Sequence, residues 1–319
     1  MNVRRRSIPA VVTAAATALG LATLSACSTD SAAAGSTGKF DVVASFYPMA
    51  FLAEQIGGDH VSVTSLTEPG QEPHDLEISA KQTAQLQESD AVLYLKNLQP
   101  SVDEAVAQSG VRTTIDAATL TSLEEHGNEV GGHAAEHDDE HGEEAGGKDP
   151  HIWLDPVKYS EVAKGVGAAF EKADPDHAAD YKANTAALVK KLDALNTKFE
   201  DGLKNTGTKV FITTHAAFGY LAERYGLTEE AINGLDPESE PSANRVKDLE
   251  KMAKADGVTT VFYETLVSDK TAKTIASDAG LKTDVLDPIE GITKKSRGKD
   301  YFAVQEANLK ALQAALGAK

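Results

Sequence analysis

Four side chains able to donate to a cation sit in loops that follow β-rich runs. His74 lies in Glu68-Pro69-Gly70-Gln71-Glu72-Pro73-His74-Asp75, behind the run 61–66. His151 lies in Asp149-Pro150-His151-Ile152-Trp153-Leu154-Asp155-Pro156. His215 closes the run 210–214, and Asp287 follows the run 283–286 and precedes Pro288. In open α/β sheets, ligands bind outside the carboxyl ends of the strands. Two facing lobes would therefore bring these four side chains, two from each half, into one cleft. Taken singly, a strand-end histidine is more commonly solvated or hydrogen-bonded than a ligand. Prolines before His74 and His151 stiffen the backbone and fix where each imidazole points. His60, at a turn, and His177, in the first turn of a helix, read as surface residues and serve as controls.

The elements that must position these residues alternate along the chain. Strand-like runs at 40–46, 61–66, 91–96 and 111–115 are separated by helical stretches at 47–56, 80–88 and 102–108. Ser79, with Gln82 three residues on, forms a capping-box pattern for the second of these helices. The second half repeats the theme, with strands at 209–213, 258–263 and 283–286. Its helices fall at 217–225, 243–255, 269–279 and 301–316. The pattern predicts an α/β fold of two lobes with mainly parallel sheets flanked by helices. An N-terminal lobe spans 40–173 and a C-terminal lobe 207–319. Between them, 174–206 reads as a linking helix, with Asp174 as cap and Pro175 at the first helical position. Tyr181, Leu188, Leu192, Leu195, Phe199 and Leu203 mark one apolar face. About 30 helical residues would span roughly 45 Å, enough to run behind both lobes and resist hinge closure. An ordinary crossover helix within one lobe is the alternative.

The N-terminus decides the compartment. Arg4, Arg5 and Arg6 precede an apolar, Ala/Thr-rich stretch too short for a permanent membrane span, which reads as a signal peptide over 1–26. It ends in Leu24-Ser25-Ala26-Cys27, which resembles the bacterial lipobox, so Cys27 is expected to be lipidated. Cys27 is the only cysteine, which excludes an internal disulfide. The Ser/Ala/Gly-rich stretch 27–39 reads as a tether. These features imply anchoring on the extracytoplasmic face of the cell membrane. The formal net charge of −18, about −21 without the three leader arginines, argues against nucleic acid as a partner. One segment, 124–149, breaks the α/β pattern: ten acidic residues, four histidines (His126, His133, His137 and His141) and one lysine, with almost nothing apolar. It reads as a disordered insertion. Its imidazoles and carboxylates form either a soluble loop or a set of weak sites that raise metal concentration near His151.

Together Pro73-His74, the Asp149–Pro156 octapeptide, Thr213-Thr214-His215-Ala216-Ala217-Phe218-Gly219-Tyr220 and Leu286-Asp287-Pro288 resemble the zinc/manganese class of ABC-transporter solute-binding proteins. The likeness runs from Phe40 to the C-terminus and includes the His-rich acidic insertion. It implies two lobes joined by a rigid helix, a monomer, and one metal ion in the cleft. It carries ligand roles onto His74, His151, His215 and Asp287, and gives Glu264 an orienting or structural role. Three imidazoles and one carboxylate suit Zn2+, a borderline-soft d¹⁰ ion, as cargo. Manganese would prefer more oxygen donors. The implied function is an extracytoplasmic Zn2+ receptor that delivers its ion to an ABC permease, not an enzyme. Another divalent metal, or a role as surface adhesin or metal buffer, is the alternative. A secreted zinc hydrolase is the remote one: it would need an open coordination position and a general base, and no His-Glu-x-x-His stretch exists.

Overall fold

The computed structural model describes residues 38–127, 129–130 and 148–319. The expected leader, Cys27, all but the end of the tether, and His133, His137 and His141 lie outside the described residues. Among the described residues, no helix is long and apolar enough to cross a membrane.

The first sheet contains β1 (Phe40–Ala44), β2 (Val61–Ser65), β3 (Ala91–Tyr94) and β4 (Thr113–Asp116), in the order β2-β1-β3-β4. All three pairings are parallel. Parallel neighbours need a crossover, and α1 (Tyr47–Gly57), α2 (Ala80–Glu88) and α3 (Pro100–Ser109) supply them. Ser79 and Gln82 cap α2 reciprocally, side chain to backbone in both directions. The second sheet contains β5 (Glu129–Val130), β6 (Val210–Thr213), β7 (Thr228–Ala231), β8 (Thr260–Tyr263) and β9 (Lys282–Val285), in the order β5-β7-β6-β8-β9. It is parallel except for β5, which runs antiparallel to β7. The start of the acidic insertion is thus stitched onto the C-terminal sheet.

Between the sheets run α4 (Pro156–Ala173) and α5 (Ala178–Leu203). Helix α5 buries Tyr181, Leu188, Leu192, Leu195, Phe199 and Leu203, the face expected from the sequence. Its 26 residues span about 39 Å at 1.5 Å per residue. Asn184 on α5 donates to the Ile56 carbonyl in α1 (3.0 Å). Further along, Gln313 in α9 (Tyr301–Leu316) donates to the α5 carbonyl of Gly202 (3.2 Å). One rod therefore touches both halves. The expected cap differs: a 3-10 turn, Pro175–His177, precedes α5, and the Asp174 carboxylate accepts from His177 and Tyr181 instead of the helix amides. The remaining helices, α6 (Gly219–Tyr225), α7 (Ala243–Ala255) and α8 (Lys270–Ala279), belong to the second half.

The two halves share one apolar core. Trp153 packs edge-on against Phe46 (4.9 Å) and donates from its indole to the Pro288 carbonyl (2.7 Å). Tyr301 stacks near Phe51 and Tyr159 (5.3 and 4.8 Å) and donates to the Trp153 carbonyl (2.6 Å). Phe46, Phe51, Trp153, Tyr159 and Tyr301 all lie in a single buried cluster. A large apolar interface between lobes resists relative motion, so the cleft above it has fixed walls.

Candidate metal centre

Four loops meet at the carboxyl edges of the two sheets. The loop after β2 carries His74, and the stretch that follows β4 and the insertion carries His151. His215 stands two residues beyond β6, and the loop after β9 carries Glu290. One ligand atom from each of these four residues lies within 4.8 Å of the other three. The Nε2 atoms of His74, His151 and His215 stand 3.2, 3.6 and 3.8 Å from Glu290 Oε1. In a tetrahedral site with metal–ligand bonds of about 2.0–2.1 Å, neighbouring donors lie about 3.3 Å apart. The three separations from Glu290 Oε1 lie near or somewhat above that value. His151, His215 and Glu290 are buried, and His74 alone keeps a solvent-facing edge, its side chain 10% exposed.

Each buried imidazole is oriented from behind. Asp149 Oδ1 accepts from both the His151 amide (2.9 Å) and its Nδ1 (2.7 Å). His215 Nδ1 lies 2.8 Å from Glu264 Oε1, which also accepts from the Thr214 hydroxyl (2.9 Å). A carboxylate accepts only, so Nδ1 carries a proton in either charge state, and Nε2 is the nitrogen that can face an ion once its own proton leaves. Neither His151 Nε2 nor His215 Nε2 has a hydrogen-bond partner among the described residues. Two buried ring nitrogens held toward one point without a hydrogen-bond partner fit a cation. Carboxylate support behind metal-binding imidazoles is the common arrangement.

The electrostatics favour positive charge. Burial opposes protonation of His151, but Asp149 and then Glu290 outweigh it and push its pKa up to about 10. His215 is likewise raised, with Glu264 and Glu290 overcoming burial. Burial would raise Glu290, yet its contacts with His151 and His74 hold it well below the usual carboxylate range. Glu72, two residues before His74, is pushed up to about 9 by burial and by Glu290. Without an ion, protons carry the positive charge that these carboxylates demand. An arriving cation replaces them.

The fourth donor departs from expectation. Asp287 does not join the cluster, and Glu290 stands in the place foreseen for it. The Asp287 carboxylate is committed elsewhere: Oδ1 accepts from the Ile289 amide (2.8 Å) and Oδ2 from the Thr265 hydroxyl (3.2 Å). Asn308 brackets its backbone, accepting from the Asp287 amide (2.9 Å) and donating to its carbonyl (2.7 Å). Ile289 has a φ of 59°, a left-handed conformation that a β-branched residue adopts only when the surroundings enforce it. Asp287 enforces it through the Ile289 amide, and the resulting turn swings Glu290 into the cleft. Asp287 thus holds the turn that Glu290 uses. Proximity to the strand end favoured Asp287 in the sequence. The second acid in Asp287-Pro288-Ile289-Glu290 was the available signal, and only the backbone reversal selects it.

Other expected residues separate cleanly. The Glu264 carboxylate touches the cluster only through His215. The rest of the Asp149–Pro156 octapeptide is scaffold: Asp155 caps α4 by accepting from Val157 and forms a two-pronged ion pair with Arg224 (2.9 and 2.7 Å). His126, expected as a weak donor in a disordered loop, is instead packed. Its Nδ1 lies 2.7 Å from Asp149 Oδ2, and its ring meets Tyr220 edge-on at 4.6 Å. The expected disorder does not hold at Glu124 and His126, which are held against Tyr220 of α6. The controls lie away from the cluster: His60 and His177 stack at 4.1 Å, held by Asp180 and Asp174.

Fold and cluster together define a two-lobed α/β protein in which, among the described residues, one four-residue cluster between the lobes is able to hold a cation. The chain belongs to the family described as zinc-uptake complex component A, periplasmic, whose model matches residues 42–315. It is 37% identical over 293 residues to the zinc-binding protein AdcA of Streptococcus pyogenes, covering 86% of this chain and 56% of AdcA. The chain thus spans about half the length of the curated relatives it matches first. It is 36% identical over 287 residues to the high-affinity zinc uptake system protein ZnuA of Bacillus subtilis, covering 87% and 88% of the two chains. The solved Zn(II)-bound ZnuA-like domain of Streptococcus pneumoniae AdcA matches with a TM-score of 0.72 and 33% identity, over 88% of this chain and 99% of that one.

Proposed function

We propose that this chain captures Zn2+ on the extracytoplasmic side of a membrane and delivers it to the permease of an ABC importer. The carrying observation is the convergence of three imidazole Nε2 atoms on Glu290 Oε1 at 3.2–3.8 Å. We assign His74, His151, His215 and Glu290 as the ligands, with Asp149 and Glu264 orienting two of them. Three nitrogens and one oxygen favour zinc over manganese, which takes more oxygen donors. A fourth protein ligand leaves no open position for a metal-bound water, which disfavours the hydrolase reading. Membership of an uptake family and the zinc-binding names of its relatives support the same cargo. The signal-like leader and Cys27 support a lipid-anchored protein, processed at 26/27, that presents residues 40–319 on the extracytoplasmic face of the membrane.

Competition titration with Zn2+ and Mn2+ tests the cargo, and zinc-limited growth of a strain lacking the chain tests delivery. One tight zinc site, weak manganese binding and a growth defect rescued by added zinc are expected. Preference for manganese, or unimpaired zinc uptake in the deletion strain, would overturn the proposal.

A further inference from the structure

Behind His151, on the side away from the cluster, an imidazole–carboxylate–imidazole chain leads to the base of the acidic insertion. Asp149 is fully buried and uses its two oxygens on two different rings: Oδ1 on His151 Nδ1 and Oδ2 on His126 Nδ1, both at 2.7 Å. His126 is itself packed, its side chain 8% exposed, with Tyr220 edge-on to its ring. Its far nitrogen faces Glu223 at 3.5 Å, at the surface. Without His126, Oδ2 would be a buried carboxylate oxygen lacking its donor. The carboxylate would then be held through Oδ1 alone, by the His151 amide and ring, and its plane would be less fixed.

A second, independent observation shows that room was made for this ring. A Cβ at Gly219, the first residue of α6, would lie 2.5 Å from His126 Nδ1 and 3.1 Å from Asp149 Oδ2. Glycine is a poor helix residue, and Gly219 does not sit at a positive φ that would demand it. The close approach of His126 does demand it. The neighbouring Tyr220 hydroxyl clamps both ends of the insertion, accepting from the Glu124 amide (2.9 Å) and donating to the Asp149 carbonyl (2.7 Å). The Asp149 amide also donates to the Glu124 carbonyl (2.9 Å).

We infer that His126 is a positioning residue for the cation site: through Asp149 it fixes the orientation of His151, and Gly219 is the cradle that admits it. This rests on the reading of His151 as a ligand. His126 does not touch the ion. It acts two contacts away, by holding the carboxylate that holds the imidazole. The same contacts tie the anchored base of the insertion to one ligand of the tight site.

The test measures zinc affinity by chelator competition and the visible spectrum of the Co2+-loaded protein, for the wild type, His126→Ala, His126→Gln, Gly219→Ala and the double variant. Partners that orient a ligand typically contribute 10–100-fold to affinity, and His126 stands one layer further out. His126→Ala is therefore expected to weaken zinc about tenfold and to shift the cobalt bands, which report the field of the ligands. His126→Gln, whose amide can still donate to Asp149, should restore most of both. Gly219→Ala should cost a similar factor in the wild-type background and less in His126→Ala, where the ring is gone and only the 3.1 Å contact with Asp149 Oδ2 remains. Unchanged tight affinity and an unchanged cobalt spectrum in His126→Ala would overturn the inference. So would loss of only a weak additional ion, which would make His126 a donor in its own right. Absence of a tight site in the wild type would instead defeat the reading of the cluster, a different failure.

Discussion

On the proposed reading, zinc must displace protons from the four-residue cluster, and the number displaced follows from the charges around it. An imidazole of ordinary pKa, about 6.5, is about 24% protonated at pH 7 and about 3% at pH 8. Three such ligands would release about 0.7 proton at pH 7 and only about 0.1 at pH 8. His151 is different, because Asp149 and Glu290 raise its pKa to about 10 despite burial. At pH 8 it still holds about 0.99 proton in the ion-free site, and the ion cannot bind until that proton leaves. His215 is raised as well and adds to the release at lower pH. The ion-free form binds more protons than the zinc form, so affinity rises with pH. At least one proton per ion means about tenfold, or 1.4 kcal/mol, per pH unit, and at least a hundredfold from pH 6 to pH 8. Titration calorimetry in buffers of different ionisation enthalpy counts the protons directly. The expected count at pH 8 is about one or more. A count near 0.1 would refute the reasoning, since His151 would then be an ordinary imidazole without its carboxylate neighbours.

Two further predictions use the same protein. Glu290→Ala removes a donor and should weaken zinc by more than 100-fold, whereas Asp287→Ala leaves the four donors and loosens only the turn at Ile289, for about 10–100-fold. Chelator competition ranks the two, and a larger loss in Asp287→Ala would return the fourth ligand to that residue. Glu229 on β7 is fully buried, and burial, only partly offset by the Thr213 and Phe218 donors, pushes its pKa up to about 7 from 4.5. The folded state therefore binds more protons than the unfolded one between these values, so Glu229 erodes stability as pH rises from about 4.5 to 7. The full effect is on the order of 3 kcal/mol. Glu229→Gln keeps the oxygen that accepts from Thr213 and Phe218 and loses the charge. Urea unfolding of the zinc-free protein should show little difference at pH 5 and a more stable variant at pH 8; an equal difference at both would count against it.

Much of this was legible in the residues because it is local. Alternating apolar runs and helical faces place most strands and helices, since side-chain period follows from backbone geometry. The buried face of α5 is the one its leucines and aromatics mark. The three histidines could be singled out because each sits in a stiffened or strand-end loop at the edge where parallel sheets leave their amides and carbonyls open. What stayed hidden depends on partners distant in the chain. Helix α4 went unread although Asp155 and Pro156 announce its start. The strand β7, Thr228-Glu229-Glu230-Ala231, looks like a surface turn, because paired glutamates oppose burial. It is a strand because it pairs with β6 and β5, and its buried glutamates are met by Thr213 and the Phe218 amide at Glu229 and by Arg245 at Glu230. His126 reads as one more imidazole in an acidic run until Gly219 and Asp149 close around it. The choice between Asp287 and Glu290, three residues apart, rests on one left-handed isoleucine held by an amide contact to Asp287. Residue types determined which chemistry was possible here. A backbone reversal, whose cost is met by tertiary contacts around it, decided which carboxylate faces the three imidazoles.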